Sequence, residues 1–202
     1  MSSPLQNRAT PFGEIVAVTA RGGMMGNRGG RLHDADRRLG RRRWASKAWI
    51  CCVLDFKGRR RRVMGPSYTE IFFLDEAVAM AAGHRPCFEC RRLEAQAFAA
   101  AWAAAFGLAA PPRAPEMDAR LHAERLAPRA MGEAGALPAG AMFAIGGTAW
   151  LRVTDGARAW GWDGYGPRAP LPAGPVEVLT PAAMLGALRH GFRPRLHPGA
   201  SD

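Results

Sequence analysis

The chain has few of the residues on which several common protein classes depend. In 202 residues there are four cysteines, two lysines and two tyrosines. No stretch reaches the roughly 20 uninterrupted apolar residues of a membrane span, and the first residues lack the apolar core of a secretory signal. There are no long internal repeats and no Walker or dinucleotide-binding glycine motif. These absences argue against a membrane or repeat protein, and we expect a cytoplasmic location.

Acidic residues are also scarce in one half of the chain. Residues 1 to 92 hold 18 Lys and Arg against 8 Asp and Glu, whereas residues 93 to 202 hold 10 against 9. A one-sided positive charge favours a polyanionic partner such as nucleic acid over an anionic membrane surface. The 26 arginines suit bidentate phosphate contacts, although a GC-rich genome would produce the same bias. We therefore expect a nucleic-acid partner and no membrane partner.

The basic residues occur in clusters, and aromatic residues lie between them. Arg21 to Arg31 is a glycine-rich segment, which is either a flexible surface loop or a loop that binds an anion through backbone N–H groups. A second run, Arg59 to Arg62, is expected at a hairpin tip, where phosphate contact and a solvated charge run are the two interpretations. The candidate nucleic-acid contacts are Arg28, Arg31, Arg42, Arg43, Lys47, Arg59, Arg60, Arg61, Arg85, Arg91, Arg92 and Arg125.

Hydrophobic spacing predicts short strands and a capped helix in the first half of the chain. Ile15 to Val18 and Trp44 to Phe56 have the β-branched and aromatic content of strands. Lys57 and Gly58 then turn the chain toward a returning strand. Asp75 and Gly83 bracket a short helix as N-cap and C-cap.

The second half begins with helices and continues as a meander. Helices are predicted over Arg91 to Phe106 and Glu116 to Leu126. Gly-Gly and Asp-Gly turns after Ala141 predict a three-strand meander, and a last helix follows Pro181. We expect an α+β fold, with an N-terminal zinc-stabilised module over 1–110 and a β-meander closed by a helix over 111–202, which possibly pack as one unit.

The cysteines form the clearest candidate site. Cys87 and Cys90 have Cys-x-x-Cys spacing, and in a reducing compartment they are thiols or metal ligands rather than a disulfide. Cys51 and Cys52 are adjacent on a predicted strand, so their side chains point to opposite faces and one of them joins the pair more easily than both.

The nature of this site leaves several alternatives. Three Cys plus one His make a structural zinc set, whereas three Cys plus water make a catalytic one. A buried thiol pair without metal and a redox pair are the alternatives. The candidate fourth ligands are His33, His84 and His122.

One stretch resembles a known family. Residues Tyr68 to Arg92 run from an aromatic strand through an Asp-Glu-Ala helix to Gly-His-Arg-Pro-Cys-x-x-Cys. This order is similar to the second half of the N-terminal zinc domain of the Ada DNA-repair methyltransferase. The resemblance implies four thiolate ligands to zinc, the last two at Cys87 and Cys90, and methyl transfer to a cysteine of the first pair. That first pair is altered here, because adjacent Cys51 and Cys52 stand where the family has two cysteines separated by three residues.

A second constellation has acid–base potential. Asp118 lies four residues before His122 on a predicted helix, with Glu124 and Arg125 nearby. This pattern provides a general base and a phosphate clamp, or a solvated helix face with ion pairs. Asp34 and Asp36, beside His33, are further candidate metal ligands if the fold brings them to the same place.

These observations support three functions. We expect a zinc-containing protein that binds nucleic acid, DNA rather than RNA, in repair or processing. The first alternative is a metal-dependent hydrolase acting on nucleic acid, with Asp118, His122 and Glu124 as catalytic residues. The second is an RNA- or protein-interaction module whose zinc is structural.

Overall fold

The fold is α+β, as the sequence predicts. A computed structural model describes residues 3–60 and 62–200. These residues form two open six-stranded sheets and four α-helices. None of the described helices is long and apolar enough to cross a membrane.

The first sheet is mixed and has the order β2-β1-β5-β3-β4-β6. The pairs β1–β5 and β4–β6 are parallel, and the remaining pairs are antiparallel. Its strands are β1 (Gln6–Ala9), β2 (Ile15–Ala17), β3 (Met24–Asn27), β4 (Ile50–Cys52), β5 (Ile71–Phe73) and β6 (Arg85–Pro86).

The second sheet is antiparallel and has the order β11-β10-β9-β8-β12-β7. Its strands are β7 (Met131–Glu133), β8 (Met142–Ile145), β9 (Thr148–Val153), β10 (Gly156–Gly161), β11 (Gly164–Ala169) and β12 (Pro175–Val178). The helices are α1 (Glu76–Ala81), α2 (Arg92–Ala105), α3 (Ala114–Leu126) and α4 (Ala182–Arg189).

Two hydrophobic cores lie on opposite faces of the second sheet. Phe143 of β8 packs in one core with Phe98 of α2 and Met184 of α4. Its neighbour Met142 packs in the other core with α1 and Phe73 of the first sheet, because successive strand residues point to opposite faces. Elements before and after residue 110 thus share both cores, and the boundary proposed there stays a prediction.

Helix α1 is fully buried, and its ends are fixed by the residues that the sequence predicts. Asp75 is the N-cap and accepts a hydrogen bond from the backbone N–H of Val78 at 3.0 Å. Gly83 follows the helix with φ of +85°, and a Cβ there would lie 2.8 Å from the side chain of Arg125. Glycine is therefore required both by backbone conformation and by close packing.

The start of α1 is also bound by residues far along the chain. Tyr165 donates its hydroxyl to Asp75 at 2.9 Å, and the backbone N–H of His197 donates to the same carboxylate oxygen at 3.0 Å. The backbone N–H of Arg195 donates to Glu76 at 2.7 Å. The C-terminal segment therefore completes the environment of α1.

Two predictions for the first half are wrong in extent. The strand predicted over Trp44 to Phe56 is limited to β4, because Ala45 and Ser46 bond to the carbonyl of Arg28 instead of to a neighbouring strand. No strand returns over the described residues of the arginine run 59–62. The glycine-rich segment, in turn, contains β3, where a Cβ on Gly26 would lie 2.2 Å from the carbonyl oxygen of Ile50.

The meander is confirmed and is longer than predicted. The Gly146-Gly147 turn has φ of +54° and +80°, which is the left-handed conformation that a two-residue hairpin favours. Strands β8, β9 and β10 follow the predicted order. The proline- and glycine-rich connection expected from Gly166 instead contributes most of β11, which pairs with β10.

Candidate metal centre

Three of the four cysteines converge. Strand β4 turns Cys52 to one face of the first sheet, and the turn between β6 and α2 supplies Cys87 and Cys90. Their sulfur atoms all lie within 4.8 Å of one another. This is the only such group of three metal-ligand side chains among the described residues, and it can hold a metal ion.

The structure distinguishes Cys51 from Cys52. Cys51 points into the core on the opposite face of β4, where it is fully buried and its sulfur lies 3.8 Å from a guanidinium nitrogen of Arg91. Strand alternation alone separates the two adjacent cysteines. The expectation that one of them joins the Cys-x-x-Cys pair is met by Cys52.

The local backbone favours a charged sulfur at Cys87. The backbone N–H of Glu89 donates to Cys87 Sγ at 3.4 Å. Side-chain hydrogen bonds from Cys52 and Cys90 lower the pKa of Cys87, whereas the corresponding bonds to Cys87 and Cys90 raise the pKa of Cys52. The cluster therefore favours a thiolate at Cys87, and soft thiolate donors suit zinc and similar ions.

The candidate histidine ligands lie elsewhere. His33 hydrogen-bonds through Nδ1 to Thr69 at 2.6 Å and through Nε2 to the carbonyl of Gly65 at 2.9 Å. The ring of His122 packs edge-on against Trp44, with centroids 5.5 Å apart. None of His33, His84 and His122 belongs to the group formed by the three cysteines. The fourth ligand predicted from histidine is therefore not present among the described residues.

The cysteines line a cavity of about 370 Å³ on one face of the first sheet. Its walls include aromatic side chains at Phe56, Tyr68 and Phe72, and the exposed residues Arg59 and Arg60. Phe72 and Glu70 also line the cavity and are not among the site residues predicted from the sequence. A signal was present in the sequence, because Tyr68, Glu70 and Phe72 are spaced two residues apart, the spacing at which strand residues share one face.

Two buried ion pairs hold the cysteine turn in place. Arg91 donates two hydrogen bonds to Glu76, at 2.6 and 2.7 Å. Arg85 donates to both carboxylate oxygens of Asp118, at 2.9 and 2.8 Å. Each pair is bidentate, the geometry in which arginine best fixes a carboxylate. The residues flanking Cys87 and Cys90 are thereby anchored to α1 and α3.

The predicted catalytic group is not assembled in this arrangement. Both oxygens of Asp118 are used by Arg85, and Asp118 is buried. Glu124 accepts hydrogen bonds from Arg120 and from the backbone of Ala183. Among the described residues no carboxylate pairs with His122, and partial burial lowers the pKa of its ring.

The candidate metal ligands Asp34 and Asp36 lie in a turn, which the Asp34 side chain stabilises. Asp34 Oδ1 accepts backbone hydrogen bonds from Asp36 and Arg38, at 3.0 and 2.9 Å. Asp36 pairs with Arg38 at 3.9 Å, and both side chains are exposed. His33 is bonded to Thr69 and Gly65 instead, so these three residues form no metal group.

The predicted nucleic-acid contacts divide by exposure. Arg28, Arg85 and Arg91 are buried, with their guanidinium groups bonded inside the protein. Arg125 is half-buried. Arg61 lies outside the described residues. The exposed candidates, which remain accessible to phosphate, are Arg31, Arg42, Arg43, Lys47, Arg59, Arg60 and Arg92.

A buried cationic cluster near Trp49 was not foreseen from the sequence. The guanidinium carbons of Arg28 and Arg125 lie 3.9 and 4.3 Å from the Trp49 ring centroid. Arg28 Nε donates to Nε2 of His84 at 3.3 Å. Burial, with charge from Arg125 and Arg43, lowers the pKa of Arg28 to about 9. No local sequence pattern links these positions, which only the fold brings together.

His84 predicts a pH dependence of stability. Burial and then the charges of Arg28 and Arg125 lower the pKa of His84 well below its ordinary value. Below about pH 6.5 the unfolded chain therefore binds a proton at His84 that the folded chain does not bind. The free energy of unfolding consequently falls on acidification, by up to about 1.4 kcal/mol per pH unit. Urea unfolding at pH 7.5 and 5.5, at equal metal loading, measures this slope.

The matched variant is His84→Gln, which keeps an acceptor for Arg28 and does not titrate. We expect it to be less stable at neutral pH and to have a shallower pH slope than the wild type. Equal slopes in the two proteins would assign the acid sensitivity to other groups.

No known protein family, curated protein or solved structure compared with the chain matches it.

Proposed function

We propose that the chain is a zinc protein that binds nucleic acid, DNA in preference to RNA, and acts in DNA repair or processing. Cys52, Cys87 and Cys90 hold the zinc. The observation that carries the proposal is the convergence of three sulfur atoms within 4.8 Å beside a cavity flanked by exposed arginines. Three thiolates form a typical zinc donor set, and clustered arginine is the usual electrostatic footprint of a nucleic-acid partner.

The resemblance to the Ada zinc domain supports the same proposal. Cys87 and Cys90 follow a capped helix and a glycine, as the resemblance implies. We propose that Cys52 is what remains of the first ligand pair. Since Cys51 faces the core beside Arg91, a methyl-accepting role in this chain would fall to Cys52.

Salt-dependent binding tests the nucleic-acid part of the proposal. Affinity for fluorescein-labelled DNA, measured by anisotropy, should fall linearly with the logarithm of salt concentration, with a slope near −0.9 per duplex phosphate contacted. The triple variant Arg42→Ala, Arg43→Ala, Lys47→Ala should lower affinity for all sequences and reduce the magnitude of the slope by up to about 3.

The matched control removes the same charge from the other half of the chain. Arg113, Arg189 and Arg193 replaced by alanine should leave the slope close to that of the wild type. If both triple variants lose affinity equally, the binding is nonspecific attraction to net charge. If no DNA or RNA binds even at low salt, the proposed function fails.

A further inference from the structure

The cavity beside the cysteines has one face of the first sheet as its floor. In the first sheet Met25 pairs with Cys52 on one side and with Phe72 on the other. Paired residues lie on the same face of a sheet, so these three side chains are neighbours, and all three line the cavity. The opposite face, with Ile71 and Phe73, is buried against α1. The sheet thus has one face in the core and one face that borders the cavity.

A loop with a positive charge forms the rim of this cavity. Arg59 pairs with Glu89 of the Cys-x-x-Cys turn at 2.8 Å, and its guanidinium carbon lies 5.2 Å from the Phe56 ring centroid. The backbone N–H of Met64 donates to the buried carboxylate of Glu70 at 2.6 Å. The rim is therefore tied both to the cysteine turn and to the cavity wall, while Arg60 stays exposed.

The shape and lining of the cavity indicate the kind of ligand it takes. Its volume of about 370 Å³ is in the lower part of the range for small-molecule sites, so one nucleotide unit fits and a duplex does not. Phe72 provides an aromatic ring for stacking, and because the guanidinium carbon of Arg8 lies 4.8 Å from the centroid of that ring, an entering base takes the other face or displaces the Arg8 side chain. Asn27 and Glu70 add an amide and a carboxylate to the wall, the groups that pair with base edges. Arginine at the rim suits the phosphates of the same strand.

We propose that this cavity accepts an unpaired base of a nucleic-acid strand, next to the cysteine centre, with the flanking phosphates on Arg59 and Arg60. The inference rests on the proposed function and sharpens it. It makes single-stranded or locally unpaired nucleic acid the substrate class, because a base within a duplex is stacked on both faces and cannot enter. An aromatic side chain of a protein partner is the competing occupant.

The test compares an oligonucleotide as a single strand and as a duplex, each bound to the zinc-loaded full-length chain. The wild type should bind the single strand more tightly, by the about 5- to 150-fold that one stacked base contributes. Leu54→Trp fills the cavity from a residue that is 54% exposed and should abolish that preference. Duplex affinity should not change.

The control is Leu93→Trp, which makes the same change at an exposed position of α2. Leu93 does not line the cavity, so this variant should retain the single-strand preference. Zinc content and circular dichroism should be the same for both variants. A second variant, Phe72→Ala, should also lose the preference, because it removes the stacking face.

A spectroscopic measurement places the base near the cysteines without relying on affinity. With cobalt in place of zinc, thiolate-to-metal absorption should change when the single strand is added and should not change for Leu54→Trp. Equal affinity for both DNA forms, or an unchanged preference in Leu54→Trp, would overturn this inference while leaving the proposed function in place. Absence of all nucleic-acid binding would instead overturn the proposed function.

Discussion

Cys87→Ser should abolish metal binding, and Cys51→Ser should not. The purified, untagged wild type should contain about one zinc per chain by mass spectrometry, in line with a single group of three sulfur atoms. A serine hydroxyl stays protonated and is a poor ligand for a soft site. The loss of affinity should therefore exceed the about 100-fold typical of changes to outer-shell partners.

The adjacent cysteines make the control unusually close. Cys52→Ser should resemble Cys87→Ser, whereas Cys51→Ser alters the next residue on the same strand and should keep its zinc. Metal that binds only the folded state contributes about 4 kcal/mol to stability when its free concentration is a thousand times Kd. The two metal-free variants should lose that contribution in chemical unfolding. A wild type without metal, or equal metal in Cys51→Ser and Cys52→Ser, would contradict the assigned ligands.

Glu76→Ala should be among the most destabilising single substitutions in the chain. The side chains of Glu76 and Arg91 are 0% and 1% exposed and form a bidentate pair. Removing one partner leaves a buried uncompensated charge, which costs about 3–5 kcal/mol. Glu76 also accepts a hydrogen bond from the backbone N–H of Arg195, so the substitution removes that hydrogen bond as well. Urea unfolding at neutral pH measures the change in the free energy of unfolding.

Two further variants separate charge burial from the loss of a contact. Glu177→Ala breaks a pair with Arg129 in which both side chains are 38% exposed, and should change stability by less than about 1 kcal/mol. The double variant Glu76→Leu, Arg91→Met removes both buried charges and should be more stable than Glu76→Ala. A Glu76→Ala effect no larger than that of Glu177→Ala would contradict a structural role for this pair.

Local signals explain which parts of the fold the sequence predicts. Asp75 and Gly83 mark the ends of α1 because capping and left-handed φ are chosen by a few residue types. Gly146 and Gly147 mark a hairpin for the same reason. The β4 strand was overestimated because its aromatic content favours a strand, while Ala45 and Ser46 find backbone partners at Arg28. The choice between these two backbone pairings depends on tertiary contacts, and the strand preferences of single residues give no information about tertiary contacts.

The same distinction between local signals and tertiary contacts applies to the candidate site. Spacing identifies Cys87 and Cys90, and strand alternation shows that Cys51 and Cys52 cannot both join them easily. The choice of Cys52 needs the fold, since it depends on which face of β4 meets the core. Asp118 and His122 have the spacing of a catalytic pair, yet Arg85, 33 residues earlier, takes both oxygens of the carboxylate. An ion pair between residues this far apart in sequence cannot be predicted from the spacing of neighbouring residues.

The hydrogen bonds at the start of α1 affect when the chain can finish folding during synthesis. Asp75 and Glu76 are made early, but their partners at Arg195 and His197 are 119 and 122 residues further along. Until those residues leave the ribosome, the Asp75 carboxylate lacks its hydrogen bond from the backbone N–H of His197, and the Glu76 carboxylate lacks the one from Arg195. The cysteine turn, which Glu76 anchors through Arg91, therefore gains this further support only after Arg195, 119 residues beyond Glu76, has been translated.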